Sequence, residues 1–416
     1  MSAPVLRAPL RLAAQASLLL LIATPLLSAQ SAQSARSAQP GPAAPDLFAL
    51  AKEAFLSNDL ASATSLLDAA VRARPQDAER RAWLADAARR TTDATTALRE
   101  AREALRLDPC HSFAHEVVAS LHNPQFAHME LQSDDSTVAH LEQAVRCDAA
   151  NGSAWMSLWV QSLRHDDRAA ERRALEGLRT SGLLTPSWLA HGRWVLRTLP
   201  PRAIVLAAGD IDTYPPAVAQ TVEGLRPDVA LVNTSMLNIG YVVEHLVRRY
   251  GLALPPDLAG DVPRDTLDFN ADRIIAFWRA EAAAGRLDRP LVVLHSMGFE
   301  YATTGAGTPM LSGPHWVIGA SAATLDTAAV AAAYRLADAT DLSGPFVSPQ
   351  DRSPVRVSAA FSPALMLGYL AAYEAAARGA MPRERLPWLE AAFQRAGVAP
   401  AAAEPMLQWV RSFPVR

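Results

Sequence analysis

In LASATSLLDAAVRARP (residues 60–75) and ATTALREAREALRLDP (residues 94–109), a shift of 34 residues lays Ala63, Leu67, Ala70 and Pro75 on Ala97, Ala101, Ala104 and Pro109. The stretches before them follow the same shift, with Leu50 and Ala51 falling on Leu84 and Ala85. Small residues three and four apart line one face of a helix, and the proline ends it. Each unit therefore closes with a helix stopped by its proline. A third copy carries Thr137, Leu141, Ala144 and Ala149 at the same spacing, 40 residues beyond the second, which implies a six-residue insertion around Asn123 to Ser133. A fourth, less regular unit runs through Trp155, Leu158, Ala170 and Ala174.

This period and these small-residue seams resemble the tetratricopeptide repeat over residues 46–182. The resemblance implies a solenoid that buries its alanine and leucine seams between neighbouring units and leaves a concave face for a protein or peptide partner. Five histidines (His111, His115, His122, His128 and His140) and both cysteines lie between 110 and 147. His115 and His122 fall where this repeat packs aromatic side chains, so they read as core, and no complete metal-ligand spacing is present. Cys110 and Cys147, near the ends of successive second helices, are a candidate disulfide.

Before the repeats, Arg7 and Arg11 precede the apolar run Leu18 to Leu27, followed by small residues at Ala29 and Ser31. That order predicts a signal peptide over 1–29, with a core too short to make a membrane span after signal removal. The SAQSAQSARSAQPGPAAP stretch that follows predicts a low-complexity linker over 30–45. Localisation is therefore expected to be exported, in the periplasm or cell envelope. The chain has 416 residues, is 50% hydrophobic and carries a formal charge of −3, which argues for packed cores and against nucleic-acid binding. Lys52 is its one lysine, so chemistry elsewhere rests on carboxylates, histidine or arginine.

After Pro200 and Pro201 the pattern changes. AIVLAA (203–208), DVALVNT (228–234), PLVVLH (290–295) and HWVIGA (315–320) read as strands, with helices expected over 215–224, 238–250 and 270–284. The expected fold class is α + α/β: a helical solenoid, then a Rossmann-like three-layer α/β domain over 200–345 with a mostly parallel sheet, then a helical tail over 346–416 broken by Pro382 and Pro387. Polar residues gather beyond the strand ends, where such sheets bind ligands. Asp210, Asp212, Thr213, Tyr214, Asn233 and Asn238 are the candidate ligand-binding set. Asp210 and Asp212, as Asp-x-Asp, are also candidate metal ligands, and with His295 candidate catalytic groups; capping of the following helix is the equal alternative. Arg226 and Asp228, flanking Pro227, are expected to fix the turn into the second strand.

GDIDTYP (209–215), VEGLRPDV (222–229), VNTSMLN (232–238) and DRPLVVL (288–294) resemble the soluble C-terminal region of bacterial protein O-mannosyltransferase-like membrane glycosyltransferases. The resemblance covers about 200–320, with Ile211 where that family has asparagine. It implies an envelope-exposed α/β module, while the sugar transfer of the family's membrane part is not carried over. VVLHSMGFE (292–300) is set aside as a nucleophile elbow around Ser296. Leu294 is too bulky for that turn, and Glu300 and His315 are the only acid and histidine placed to follow it. No cofactor is predicted, a divalent metal being the alternative. The expected function is a repeat scaffold, an accessory in cell-envelope or glycoconjugate assembly, with a glycan or small-molecule pocket. A metal-dependent glycosyl- or phosphoester-processing enzyme at Asp210/Asp212 is the alternative.

Overall fold

The computed structural model describes residues 46–123, 133–258, 270–304, 309–319, 323–340 and 363–416, with residues 342, 348 and 352. The expected signal and linker, the inserted segment at 124–132 with His128, and most of the glycine-rich loop at 303–309 lie outside the described residues.

Helices α1 (Leu47–Leu56) and α2 (Leu60–Ala73), α3 (Ala78–Arg90) and α4 (Ala94–Leu107), α5 (Ser112–His122) and α6 (Asp134–Cys147), and α7 (Gly152–His165) and α8 (Arg168–Ser181) pack as successive hairpins. Their caps repeat in chemistry and in phase. Asp59, Asp93, Ser133 and Asp167 each accept a backbone N–H of the second helix they precede, at steps of 34, 40 and 34 residues. Asp77, His111 and Asn151 do the same for first helices. Asn58, Thr92 and Asp166 turn the hairpins with φ of 64°, 64° and 52°. Ala63, Leu67 and Ala70 of α2, like Ala97, Ala101 and Ala104 of α4, are buried. These helical repeats suit a tetratricopeptide-like solenoid.

The cap period runs past residue 182. Thr185, 34 residues after Asn151, caps α9 (Pro186–Thr198), which starts on a proline. In phase and chemistry α9 is the first helix of a fifth repeat. Before a second helix forms, the chain makes strand β1 (Ile204–Ala207), and only then α10 (Gly209–Thr221), which packs on α9 and α8. There follow β2 (Ala230–Asn233), a 3-10 turn (Thr234–Asn238), α11 (Gly240–Tyr250), α12 (Asn270–Ala283), β3 (Leu291–Leu294), a second 3-10 turn (His295–Met297) and α13 (Phe299–Thr303). Strands β4 (Met310–Leu311) and β5 (His315–Ile318) precede α14 (Thr327–Asp338), α15 (Pro363–Arg378), α16 (Arg385–Arg395) and α17 (Pro400–Arg411).

The five strands form one mixed sheet in the order β2-β1-β3-β5-β4. β1 is parallel to β2 and β3, whereas β5 is antiparallel to β3 and β4. Three expectations are corrected here. The fourth expected strand runs antiparallel to β3, because residues 312–314 turn it straight back on β4 as a hairpin. The helix expected at 215 begins at Gly209, so Asp210 and Asp212 sit in its first turns and Pro215 and Pro216 lie inside it. Pro387 falls in the first turn of α16, where a missing N–H costs no helix bond, and does not break it.

Among the described residues there are two hydrophobic cores. One joins α1 to α5; the other begins with Ala119, Leu141 and Ala144, runs through the strands and ends in α17. Trp194 of α9 is fully buried in the second, its indole N–H donating to Ala333 O at 2.9 Å. At the α9–α10 crossing a Cβ on Gly192 would lie 2.5 Å from the Pro215 carbonyl carbon. Backbone cannot yield there as a side chain can. Gly192→Ala is therefore expected to cost about 1–3 kcal/mol despite alanine's better helix propensity. Urea unfolding measures it, and an unchanged or raised midpoint would show that the two helices can part. Cys110 and Cys147 are joined by a disulfide across 37 residues. Chain entropy puts the loss in Cys110→Ser/Cys147→Ser at about 4 kcal/mol. The same unfolding measurement checks it, equal stability of variant and wild type being the contrary result.

Candidate functional site

The strand order places a topological switch between β1 and β3, since β2 lies on one side of β1 and β3 on the other. In such sheets the crevice outside the carboxyl ends at that point is where ligands bind. Here it is bounded by residues 208–212 after β1 and 295–298 after β3. Both loops need glycine, Gly209 having φ of 68° and Gly298 φ of 82°.

Asp212 closes this crevice. Its Oδ2 accepts the Ala208 N–H at 3.1 Å and also the Ser296 hydroxyl. The first bond resembles the reciprocal half of a capping box, satisfying a backbone donor at the helix start. The second ties β1 to β3 across the switch point. Asp212 is 6% exposed, and burial pushes its pKa up to about 6 against the pull of these two bonds. Asp210 opens to solvent, although the protein mass behind it also raises its carboxyl above the usual range. Two residues apart on a helix, the two carboxylates point to different faces. They do not fit a shared cation, and Asp212 already spends one oxygen on Ala208 and Ser296. Both lie at the positive end of α10, where carboxylates are favoured and a phosphate would meet like charge.

The other candidates separate as well. Thr213 donates back to Gly209 O at 2.6 Å within the helix. Tyr214 packs edge-on against Trp159 of α7, with centroids 5.3 Å apart, and so faces the repeats. Asn233 accepts the Ser235 N–H and hydroxyl at 3.1 and 2.7 Å, capping the 3-10 turn after β2. Asn238 accepts the Ala271 N–H at 3.0 Å, serving the start of α12. His295 is buried, with neither ring nitrogen hydrogen-bonded, against Trp316 and Tyr373 at 4.5 and 4.9 Å. Burial and the neighbouring His315 hold it neutral, its pKa well below the ordinary value. It makes no hydrogen bond to Ser296, so no serine–histidine couple is assembled.

A slot of about 40 Å³ lies nearby between the repeats and the sheet, lined in part by Thr213, Gln220, Asn233, His245 and Arg249. That volume suits a few water molecules. Its walls are tied together: Arg249 pairs with buried Glu171 of α8 at 2.8 Å, and Gln220 donates to Arg226 O and Val229 O. Sequence reasoning passed over Ser296 as a partner of Asp212. Their separation of 84 residues leaves no spacing signal, and only the strand order, once known, points to the pair.

The raised acid has a signed consequence. Between about pH 4 and 6 the native state holds a proton on Asp212 that the unfolded chain has released, so its contribution to stability falls as pH rises through that window. Asp212→Asn is expected to gain on wild type by about 3 kcal/mol across it, with a constant offset outside. Denaturant titrations at half-unit pH steps test this, and a pH-independent difference would show that Asp212 titrates as an ordinary carboxyl.

Residues 189–258, from α9 through α11, match the family model described as TMEM260-associated domain 2. The match spans less than a fifth of the chain. No curated protein matches. Among solved structures, the crystal structure of MamA protein aligns over 50% of this chain and 96% of its own, at 13% identity and a TM-score of 0.27.

Proposed function

We propose that this chain is an exported repeat scaffold that holds a protein or peptide partner, an accessory in cell-envelope or glycoconjugate assembly and not a free-standing catalyst. The observation that carries this reading is the use to which the strand-edge polar groups are put. Asp212, Thr213, Asn233 and Asn238 all spend their side chains on caps, turns and one inter-strand tie. The solenoid is the other candidate surface, its first helices presenting successive faces to a partner. An exported location agrees with the signal-like pattern of residues 1–29 and with a disulfide, which persists in oxidising compartments.

For the second half we keep the reading of a Rossmann-like, three-layer module. Its support is the parallel trio β2-β1-β3 with helical crossovers, and a small or glycan-like ligand would approach from the solvent side of the switch point, beside Asp210. Titration calorimetry with Mg²⁺, Mn²⁺ and Zn²⁺ decides between this scaffold and an enzyme built on Asp210 and Asp212. The scaffold reading expects no metal-dependent heat, and partner capture from envelope extract unchanged in Asp210→Ala/Asp212→Asn. A heat present in wild type and lost in that double variant would overturn it in favour of the enzyme.

A further inference from the structure

On the solenoid, α3 and α5 carry a side-chain constellation that the strand edge does not use. Phe113 opens α5, packed edge-on against Trp83 of α3 with centroids 5.5 Å apart. Glu116 lies one turn on from it, its side chain 15% exposed. Glu79, which occupies in α3 the place of Phe113 in α5, accepts the Trp83 indole N–H at 2.8 Å and meets His111 Nε2 at 3.0 Å. Those bonds fix its carboxylate in position, and the His111 contact leads the causes that hold its pKa below the usual range. The result is an aromatic ring flanked by two oriented carboxylates on the faces of successive first helices.

That constellation is filled by the chain itself. Arg352, 236 residues beyond Glu116, lays its guanidinium 4.3 Å from the Phe113 centroid and reaches Glu116 Oε2 at 3.3 Å. The field of Arg352 is also felt at Glu79. A planar cation over a ring with a carboxylate at its rim is the geometry arginine makes better than lysine, because the guanidinium stacks and forks while an ammonium does neither. Four residues earlier, Ser348 donates to Gly182 O at 2.9 Å, at the end of α8. Two separate points of the chain after α14 thus rest on the repeats.

We infer that the α3–α5 face is a receptor site for one arginine side chain of an extended peptide, with Phe113 as platform and Glu116 and Glu79 as anionic walls, and that Arg352 occupies it in cis. A partner peptide enters by displacing Arg352. This rests on the reading of the repeats as a partner-binding surface and names what that surface recognises.

The test uses full-length, disulfide-bonded protein and a fluorescent peptide of this chain's own sequence, SPQDRSP (348–354), read by anisotropy. Arg352→Ala, which empties the site, is expected to bind the peptide at least tenfold tighter than wild type. Adding Glu116→Gln should remove that gain, and a peptide with lysine in place of arginine should bind severalfold more weakly to Arg352→Ala. Matching melting curves confirm that the variants fold, Glu116→Gln being chosen over a Phe113 truncation for that reason. Equal binding by wild type and Arg352→Ala, no binding by either, or binding indifferent to Glu116 would overturn the inference. If the peptide fails while partner capture by the intact protein persists, the arginine site falls and the scaffold reading stands.

Discussion

The guanidinium of Arg226 gathers the end of one architecture and the start of another. It donates to Leu196 O at 3.1 Å, Leu199 O at 2.7 Å and Pro200 O at 2.8 Å, the last carbonyls of α9 and the residues just past it. The same side chain forks onto Asp228, two bonds of 2.9 Å, and holds that carboxyl well below its usual range. Asp228 in turn accepts the Arg202 N–H at 2.7 Å, two residues before β1. Helix ends leave carbonyls without partners, and those of α9 would otherwise be stranded where the chain turns into the sheet. A lysine could reach one of them but not all, so the fork is what fixes α9, β1 and β2 relative to one another. The turn into β2 expected of Arg226 and Asp228 from sequence is only part of what they do.

α9 matters because it belongs to two structures. By its cap and phase it is a first helix of the solenoid; by its burial it is a layer over the sheet. A solenoid must end on something that covers its last apolar face, since an uncovered repeat cannot bury its seam. Here α10 supplies the missing second helix after a strand has been inserted, and the second core runs on from the third repeat into the sheet without interruption. The α/β part is in this sense the solenoid's terminal cap.

Much of this was legible in the residues. The 34-residue period, the alanine seams and the apolar runs at 203–208, 228–234 and 290–295 led to the helices and strands that form. Local signals suffice where caps and burial are decided within a few residues. The misread places are those where distant chain decides. Pro215 looks like a helix start, yet α10 begins six residues earlier because Gly209 can take a positive φ and Asp212 can satisfy Ala208. The direction of β5 is set by its tight hairpin connection to β4. Ser296 and Asp212 meet only because β3 lies beside β1, and Arg352 meets Phe113 across most of the molecule.

The electrostatics of the second core follow from the same continuity. His191, His295 and His315 are buried in it, and burial holds them neutral, His191 at about 4 and His315 at about 3. A depressed histidine contributes stability that is full above its ordinary pKa near 6.5 and lost as pH falls toward the native value. Asp212 acts in the opposite sense, weakening the native state as pH rises from about 4 to 6. The two slopes oppose one another over that range, so Asp212 offsets part of the stability that the three histidines lose as pH falls. Outside it they part: above pH 7 every one of these histidines is neutral in both states and the ionised Asp212 is the remaining cost. That cost is sustained because its oxygen holds β1 to β3. A carboxylate kept at the switch point against its own desolvation thus acts as a tie between the two strands.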